Sequence, residues 1–182
     1  MRQAADRVVV LATGGTIAGV ATSAIDNLGY QAASLGIDSL LGAVPAAAHG
    51  PVDTEQVAQI DSKDMDPSVW QRLARRVDHH LARPEVAALV ITHGTDTLEE
   101  TAWFLERVLI PRRPVMLVAA MRPATSLQTD GPQNLCDALA AARDAARLGR
   151  RGVMAVMGGR IWPVTGLRKL HPYRLDALAS NF

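Results

Sequence analysis

The feature that most constrains this chain is an alternation of short, unbroken apolar runs with longer segments of helical period. Val8 to Ala12, Val57 to Ile60, Ala87 to Ile91, Val115 to Ala119 and Val153 to Val156 have strand length, are rich in β-branched residues and are bounded by Gly, Pro, Asp or Thr. A strand with one wet face alternates polar and apolar side chains. These runs do not alternate, which suits strands covered on both faces. Behind Asp66-Pro67, a cap followed by a proline at the first helical position, Val69, Trp70, Leu73, Val77 and Leu81 recur at three- and four-residue spacing and predict a helix. Thr97 with Glu100 three residues on reads as a capping box, opening a helix over Leu98 to Leu109 that Pro111 stops. Gly131-Pro132 opens another, with Leu135, Leu139, Ala142 and Ala146 on one face and its end at Gly149; a shorter helix is expected over Ile37 to Val44. The fold class follows: α/β, an open, mostly parallel sheet with right-handed crossovers and helices on both faces. Two regions stand outside the alternation, Val20 to Leu35 and Gly158 to Phe182; within the second, Leu175 to Ser180 reads as the start of a further element.

Composition narrows the function. The 182 residues leave room for one ordinary domain. With 48% hydrophobic and 20% charged residues the chain can bury a core, so disorder is excluded as its main state. Nineteen basic side chains face eighteen acidic ones, and no Lys/Arg block exceeds two residues. No field strong enough to gather polyanions is evident, which argues against nucleic acid as a partner. The single cysteine, Cys136, cannot close an internal disulfide, and no apolar run approaches the roughly 20 residues that span a bilayer, so no membrane partner is expected. Arg2 and Arg7 precede an apolar run too short for a signal peptide. A cytoplasmic protein is the expectation, and a mature exported chain with a new Met1 reads the same way.

In open α/β sheets ligands bind beyond the carboxyl ends of the strands. There the first strand delivers Thr13-Gly14-Gly15-Thr16-Ile17-Ala18-Gly19, the second Asp61-Ser62-Lys63-Asp64, the third Thr92-His93-Gly94-Thr95-Asp96-Thr97 and the fourth Ala120-Met121-Arg122-Pro123. Hydroxyls, a carboxylate and flexible backbone thus collect on one edge. Two glycines before Thr16 let the backbone turn sharply and display the hydroxyl, which fits a nucleophile, an anion-binding turn or a structural turn alike. The glycines miss both dinucleotide- and phosphate-loop spacings. Thr95, Asp96 and Thr97 all stand where a helix N-cap belongs, yet only one can be the cap; the other two point past the strand end, where a carboxylate can hold an ammonium group. His93 reads as a general base or as a packed strand-end residue. His79-His80 lies on the polar side of its helix without a ligand at i+4, and His49 and His171 stand alone, so neither metal nor cofactor is expected.

Taken together, Thr13 to Gly19, His93-Gly94-Thr95-Asp96-Thr97 with Glu99-Glu100-Thr101, Ala120 to Pro123, and Asp130-Gly131-Pro132 with Asn134 resemble the bacterial-type L-asparaginase family, over nearly the whole chain and in order. The resemblance implies that family's Rossmann-like N-terminal catalytic domain across residues 1–182, and hydrolysis of L-asparagine to L-aspartate and ammonia. Thr16 matches the nucleophile, which forms an acyl-enzyme ester that water opens. Tyr30 matches the tyrosine that orients it, with Val20 to Leu35 as a flexible lid. Thr95 matches the second catalytic threonine and Asp96 the carboxylate that grips the α-amino group. Ser62 matches the residue that holds the α-carboxylate, and Ala120 the carbonyl facing the scissile amide. Lys169 falls where the family's Thr-Lys-Asp relay has its lysine; on spacing alone it is a solvated neighbour of Arg168, and buried beside Asp96 it can serve as a base with a lowered pKa.

Two departures stand out. Lys63 replaces the glutamine or glutamate that many members carry, an added cation expected to strengthen carboxylate binding or alter selectivity. The family's smaller C-terminal domain, which completes a neighbour's site in its homo-oligomers (dimers or tetramers), has no counterpart in this chain. The 182 residues alone are therefore expected to fold, expose an apolar patch and turn asparagine over poorly. L-Glutamine as a further substrate, an amidotransferase-type glutaminase domain and a non-catalytic module for acidic amino acids remain alternatives.

Overall fold

The computed structural model describes residues 5–46 and 50–181. His49 and Phe182 lie outside them. Five parallel strands form the body of one sheet: β1 (Arg7–Gly14), β4 (Val52–Ile60), β5 (Val86–Thr92), β6 (Pro114–Val118) and β7 (Gly152–Met157). A sixth strand, β8 (Arg160–Pro163), turns back antiparallel on β7, giving the order β4-β1-β5-β6-β7-β8. The sheet is mostly parallel, and its apolar runs are buried as their continuous hydrophobicity requires: every residue of β5 is buried, as is all of β1 after Arg7.

Helices cover both faces, and the period-2 alternation of each strand sorts its side chains between two cores. Val9 and Leu11 pack with Leu73 and Val77 of α2 (Pro67–Leu81) and Leu98, Ala102 and Leu105 of α3 (Leu98–Leu109). Val8, Val10 and Ala12 pack on the other face with Ile37 and Leu40 of α1 (Ile37–Gly42) and with Leu135, Leu139 and Ala142 of α4 (Gly131–Arg147). The Asp66 carboxylate caps α2, accepting from the N–H of Ser68 and of Val69 at 2.7 and 3.0 Å, with Pro67 at the first position. α4 ends at Arg147, and Gly149 takes the left-handed conformation beyond it at φ 65°.

Several expectations need correction. The second strand starts at Val52, not Val57, because its first half is an edge with alternating exposure that a search for unbroken apolar runs passes over. Gly158 onward is β-structure: after β8, β9 (Leu167–Lys169) pairs antiparallel with β10 (Leu178–Ser180). Val20 to Leu35 carries a minimal hairpin, β2 (Val20–Ala21) against β3 (Tyr30–Gln31). The capping box does not form. Thr97 stands at the N-cap of α3 without a capping bond, because its hydroxyl instead donates to the carbonyl of Ser62 at 2.8 Å. Nor is His80 on a polar face: it is buried, with Nε2 2.7 Å from Glu55 and Nδ1 3.1 Å from Arg83.

Candidate active site

The turn after β1 and the turn after β5 touch backbone to backbone. Gly15, at φ 80°, lies so close to the next loop that an added Cβ would sit 2.4 Å from Gly94 Cα. A Cβ on Gly94 would in turn sit 2.3 Å from Ser62 Oγ. Only glycine at both positions lets three strand ends converge. Gly15 N–H also donates to the carbonyl of Ile60 at 2.9 Å, fastening the β4 end to the same point.

Thr16 follows this contact at the head of a short 3-10 turn, Thr16–Ala18, and is half-buried. Its hydroxyl is 2.7 Å from the Tyr30 phenol oxygen. Gly19 makes that possible, since a Cβ there would lie 2.8 Å from Tyr30 Cδ2. The segment that carries Tyr30 is tied down along its length: Ala124 N–H donates to Gly19 O, Ala21 N–H to Thr125 Oγ1 and Ser34 N–H to Ala18 O, at 2.7–2.9 Å. Ala33, at φ 54°, donates to Gly15 O at 3.0 Å.

On the other side, Thr95 is buried and its hydroxyl accepts from Lys169 Nζ at 2.8 Å. The same ammonium is 2.5 Å from Asp96 Oδ1. The Lys169 side chain is 16% exposed and that of Asp96 51%, so the pair opens to solvent through the carboxylate. A surface cavity lined by Asp96, Glu99, Lys169, Leu170, His171 and Pro172 lies at that mouth. Ser62 is buried and its hydroxyl accepts from Asp96 N–H at 3.2 Å. Ala120 is buried at the end of β6; a Cβ on Gly131 would lie 3.7 Å from Ala120 Cβ and 3.1 Å from Ile17 Cγ1, so Ala120 joins the Thr16 turn through Gly131.

Beneath the loop, His93 is wholly buried. Its Nδ1 is 2.7 Å from Gly94 O, a carbonyl that can only accept, so Nδ1 carries the proton and Nε2 accepts from Thr101 Oγ1 at 3.0 Å. Trp70 Nε1–H donates to that same hydroxyl at 2.8 Å. Every donor and acceptor is matched with the ring neutral. Burial pushes its pKa down to about 4. Of the two readings of His93, the packed strand-end residue is the one this geometry fits.

Three supporting residues carry no role in the sequence reading. Glu99 accepts from the backbone N–H of Lys169 at 2.6 Å and from Arg168 Nη1 at 2.9 Å, clamping β9 to the first turn of α3. Asp130 accepts from the N–H of Met121 and of Arg122, and Asn134 Nδ2 donates to Ala119 O, so the start of α4 holds the β6 end. Lys63 turns its ammonium to Asp64 at 2.7 Å and Asp61 at 3.4 Å, and the hydrogen bond to Asp64 raises its pKa. Among the described residues no group of three or more His, Cys, Asp or Glu side chains is placed to hold a metal ion. No helix there is long and apolar enough to cross a membrane.

A mostly parallel α/β sheet whose strand ends bring two hydroxyl-bearing loops together on one edge defines a Rossmann-like domain. Residues 7–182 match the family model described as asparaginase, N-terminal. The chain belongs to the asparaginase family. It is 44% identical over 155 residues to the "Probable L-asparaginase periplasmic" of Haemophilus influenzae, covering 85% of this chain and 43% of that one. It is 41% identical over 174 residues to the glutaminase-asparaginase of Pseudomonas fluorescens, covering 95% and 48%. The crystal structure of a "Probable Cytoplasmic L-asparaginase" from Campylobacter jejuni superimposes with a TM-score of 0.90 at 41% identity, over 96% of this chain and 53% of that one. The chain spans about half the length of the curated relatives it matches.

Proposed function

We propose that this protein hydrolyses the side-chain amide of L-asparagine to L-aspartate and ammonia. Thr16 Oγ attacks the amide carbon, and Tyr30 orients the hydroxyl. The proton leaving Thr16 reaches the departing nitrogen through the Thr95, Lys169 and Asp96 relay, so the C–N bond breaks as ammonia and an ester remains on Thr16. Water then adds to the ester and returns a proton to Thr16 as aspartate leaves. Asp96 grips the substrate ammonium, Ser62 its α-carboxylate, and the Ala120 carbonyl faces the amide nitrogen. The observation that carries this reading is the stacking of Gly15 on Gly94, which sets a hydroxyl paired with a phenol beside a hydroxyl paired with an ammonium on one sheet edge.

L-Glutamine is expected as a further substrate, since one methylene is worth only about 1–3 kcal/mol of discrimination. The whole protein works as a homo-oligomer in the cytoplasm. In support of assembly, Leu170, 69% exposed, borders the Asp96 and Lys169 cavity, with Tyr173 and Leu175 exposed in the same loop.

Two substitutions test the reading in the protein assembled as it occurs. Thr16→Ala should cut ammonia release at least about 1,000-fold and leave the melting temperature unchanged, because a half-buried turn hydroxyl adds little to the core. Wild-type release by this variant would make Thr95 the nucleophile. Asp96→Asn should weaken calorimetric L-aspartate binding by about 2–5 kcal/mol. L-Aspartate binding with no ammonia from either amide would leave the binding-module reading instead.

A further inference from the structure

The end of the sheet opposite this site carries a second concentration of charge. β6 and β7 run parallel with Pro114 beside Gly152, so the dipeptides before them, Arg112-Arg113 and Arg150-Arg151, enter the sheet side by side. Gly152 N–H donates to Pro111 O at 3.2 Å across the same gap. In sequence each pair is too short to register as a basic run. The fold merges them: all four arginines line one surface cavity together with Pro114 and Gly149.

Neighbouring strands lie only about 4.8 Å apart, and like charges set opposite one another destabilise the pair. Among the described residues few groups relieve this cluster. Arg113 Nη1 donates to the carbonyls of Arg83, at 2.7 Å, and Val86. None of the ion pairs among the described residues involves Arg112, Arg150 or Arg151. The carboxylate of Glu106, which lies against Gly152, accepts from Val153 N–H at 2.7 Å, and Asp144 pairs with Arg147. Helix ends explain part of the arrangement, since α3 and α4 stop just before these pairs and a cation near a C-terminus is favourable. One cation per helix meets that need. Four guanidinium groups on one cavity exceed it.

We propose that this cavity binds a compact polyanion of two or more linked phosphates, either inorganic polyphosphate or the polyphosphate tail of a nucleotide. Guanidinium forks pair bidentately with phosphate oxygens, and three with no ion pair among the described residues match the charge of a short polyphosphate rather than that of a single phosphate. A compact ligand fits better than a polymer, because the excess charge is confined to this cavity while the chain as a whole carries only +1.

Isothermal titration of the purified protein with tripolyphosphate, ATP and AMP at low salt tests the site. Tripolyphosphate and ATP should each bind at one site per chain, with affinity that falls as salt rises, and AMP at least tenfold more weakly. The triple variant Arg112→Gln/Arg150→Gln/Arg151→Gln should bind tripolyphosphate at least tenfold more weakly. Without ligand it should melt at or above the wild-type temperature, because repulsion has been relieved, and tripolyphosphate should raise the melting temperature of the wild type alone. Equal binding by the variant, no saturable binding, or AMP binding as tight as ATP overturns the proposal. So does capture by anionic phospholipid vesicles without binding of tripolyphosphate. A ligand-free variant that melts well below wild type would mean that the arginines serve the helix ends instead.

Discussion

The two halves of the candidate site are built differently. Thr95 and Asp96 follow a fully buried strand and precede a twelve-residue helix, with His93, Thr101 and Trp70 locked beneath them. Tyr30 sits on a two-residue strand in a largely exposed segment held by a handful of backbone and side-chain bonds to the 124–127 loop and the Thr16 turn. One half is anchored in the core and the other rests on the surface. Local opening follows buried contact, so the Tyr30 half can part from Thr16 at far less cost than the Thr95 half can rearrange. On the proposed reading, a site made this way would keep its relay rigid and admit substrate on the loose side.

The largest effect should come from breaking the contact between the halves. Gly15→Ala adds a Cβ 2.4 Å from the Gly94 backbone at a φ of 80° that alanine resists. Overpacking and backbone strain together predict a loss on the order of 4 kcal/mol in urea unfolding, with ammonia release lost as well. A variant as stable as wild type would show that the two loops are not pressed together in solution.

Next in size is the acid sensitivity of the deep half. Folded, His93 is held neutral with a pKa of about 4, whereas an unfolded chain protonates it near 6.5. The unfolded chain therefore binds more protons between those values. The contribution of His93 is complete above about pH 6.5 and declines by about 3 kcal/mol as pH falls to about 4. Imidazole NMR should show one histidine that stays neutral at pH 5.5; titration of all five near 6.5 would contradict the buried network.

A smaller effect belongs to the surface half. Tyr30→Phe removes only the hydroxyl 2.7 Å from Thr16. Because the ring keeps its place over Gly19, stability should change by less than about 0.5 kcal/mol. The rate of ammonia release should fall about 10- to 100-fold, the range of one positioning hydrogen bond in catalysis. A change in stability larger than the change in rate would mean that Tyr30 is a structural strut and that the surface half is no looser than the deep one.

How far each half can be read in the sequence follows from the same contrast. β5 and α3 are periodic and long, and helix α3 runs over Leu98 to Leu109 as its pattern predicts. β2, β3, β9 and β10 span two or three residues each, too few to express any period. Lys169 is anonymous on spacing because what distinguishes it, contact with Thr95 and Asp96, arises from residues more than 70 positions away; only the family resemblance marks it. Thr97 is hidden by a competing local explanation, since a threonine three residues before Glu100 reads as a capping box, and Glu99 beside it carries no signal of its own. The fold uses them to tie in Ser62 and Lys169 instead. His80 shows the same limit, its carboxylate partner Glu55 lying one strand away on β4.

The smallest expected effect concerns the clamp that delivers Lys169 to the deep half. Glu99 uses one carboxylate oxygen for Arg168 and the other for the N–H of Lys169. Glu99→Gln keeps a carbonyl oxygen for one of these donors and loses the charge that strengthens both, a change worth about 1 kcal/mol. Stability should fall by about that much, and ammonia release by up to about tenfold, through a lower kcat with KM held, because Glu99 reaches the reaction only through the seat of Lys169. Glu99→Ala, which removes both acceptors, should lower kcat further. If Glu99→Ala left kcat at the wild-type value, β9 would hold Lys169 in place without the clamp, and the rigidity of the deep half would rest on His93, Thr101 and Trp70 alone.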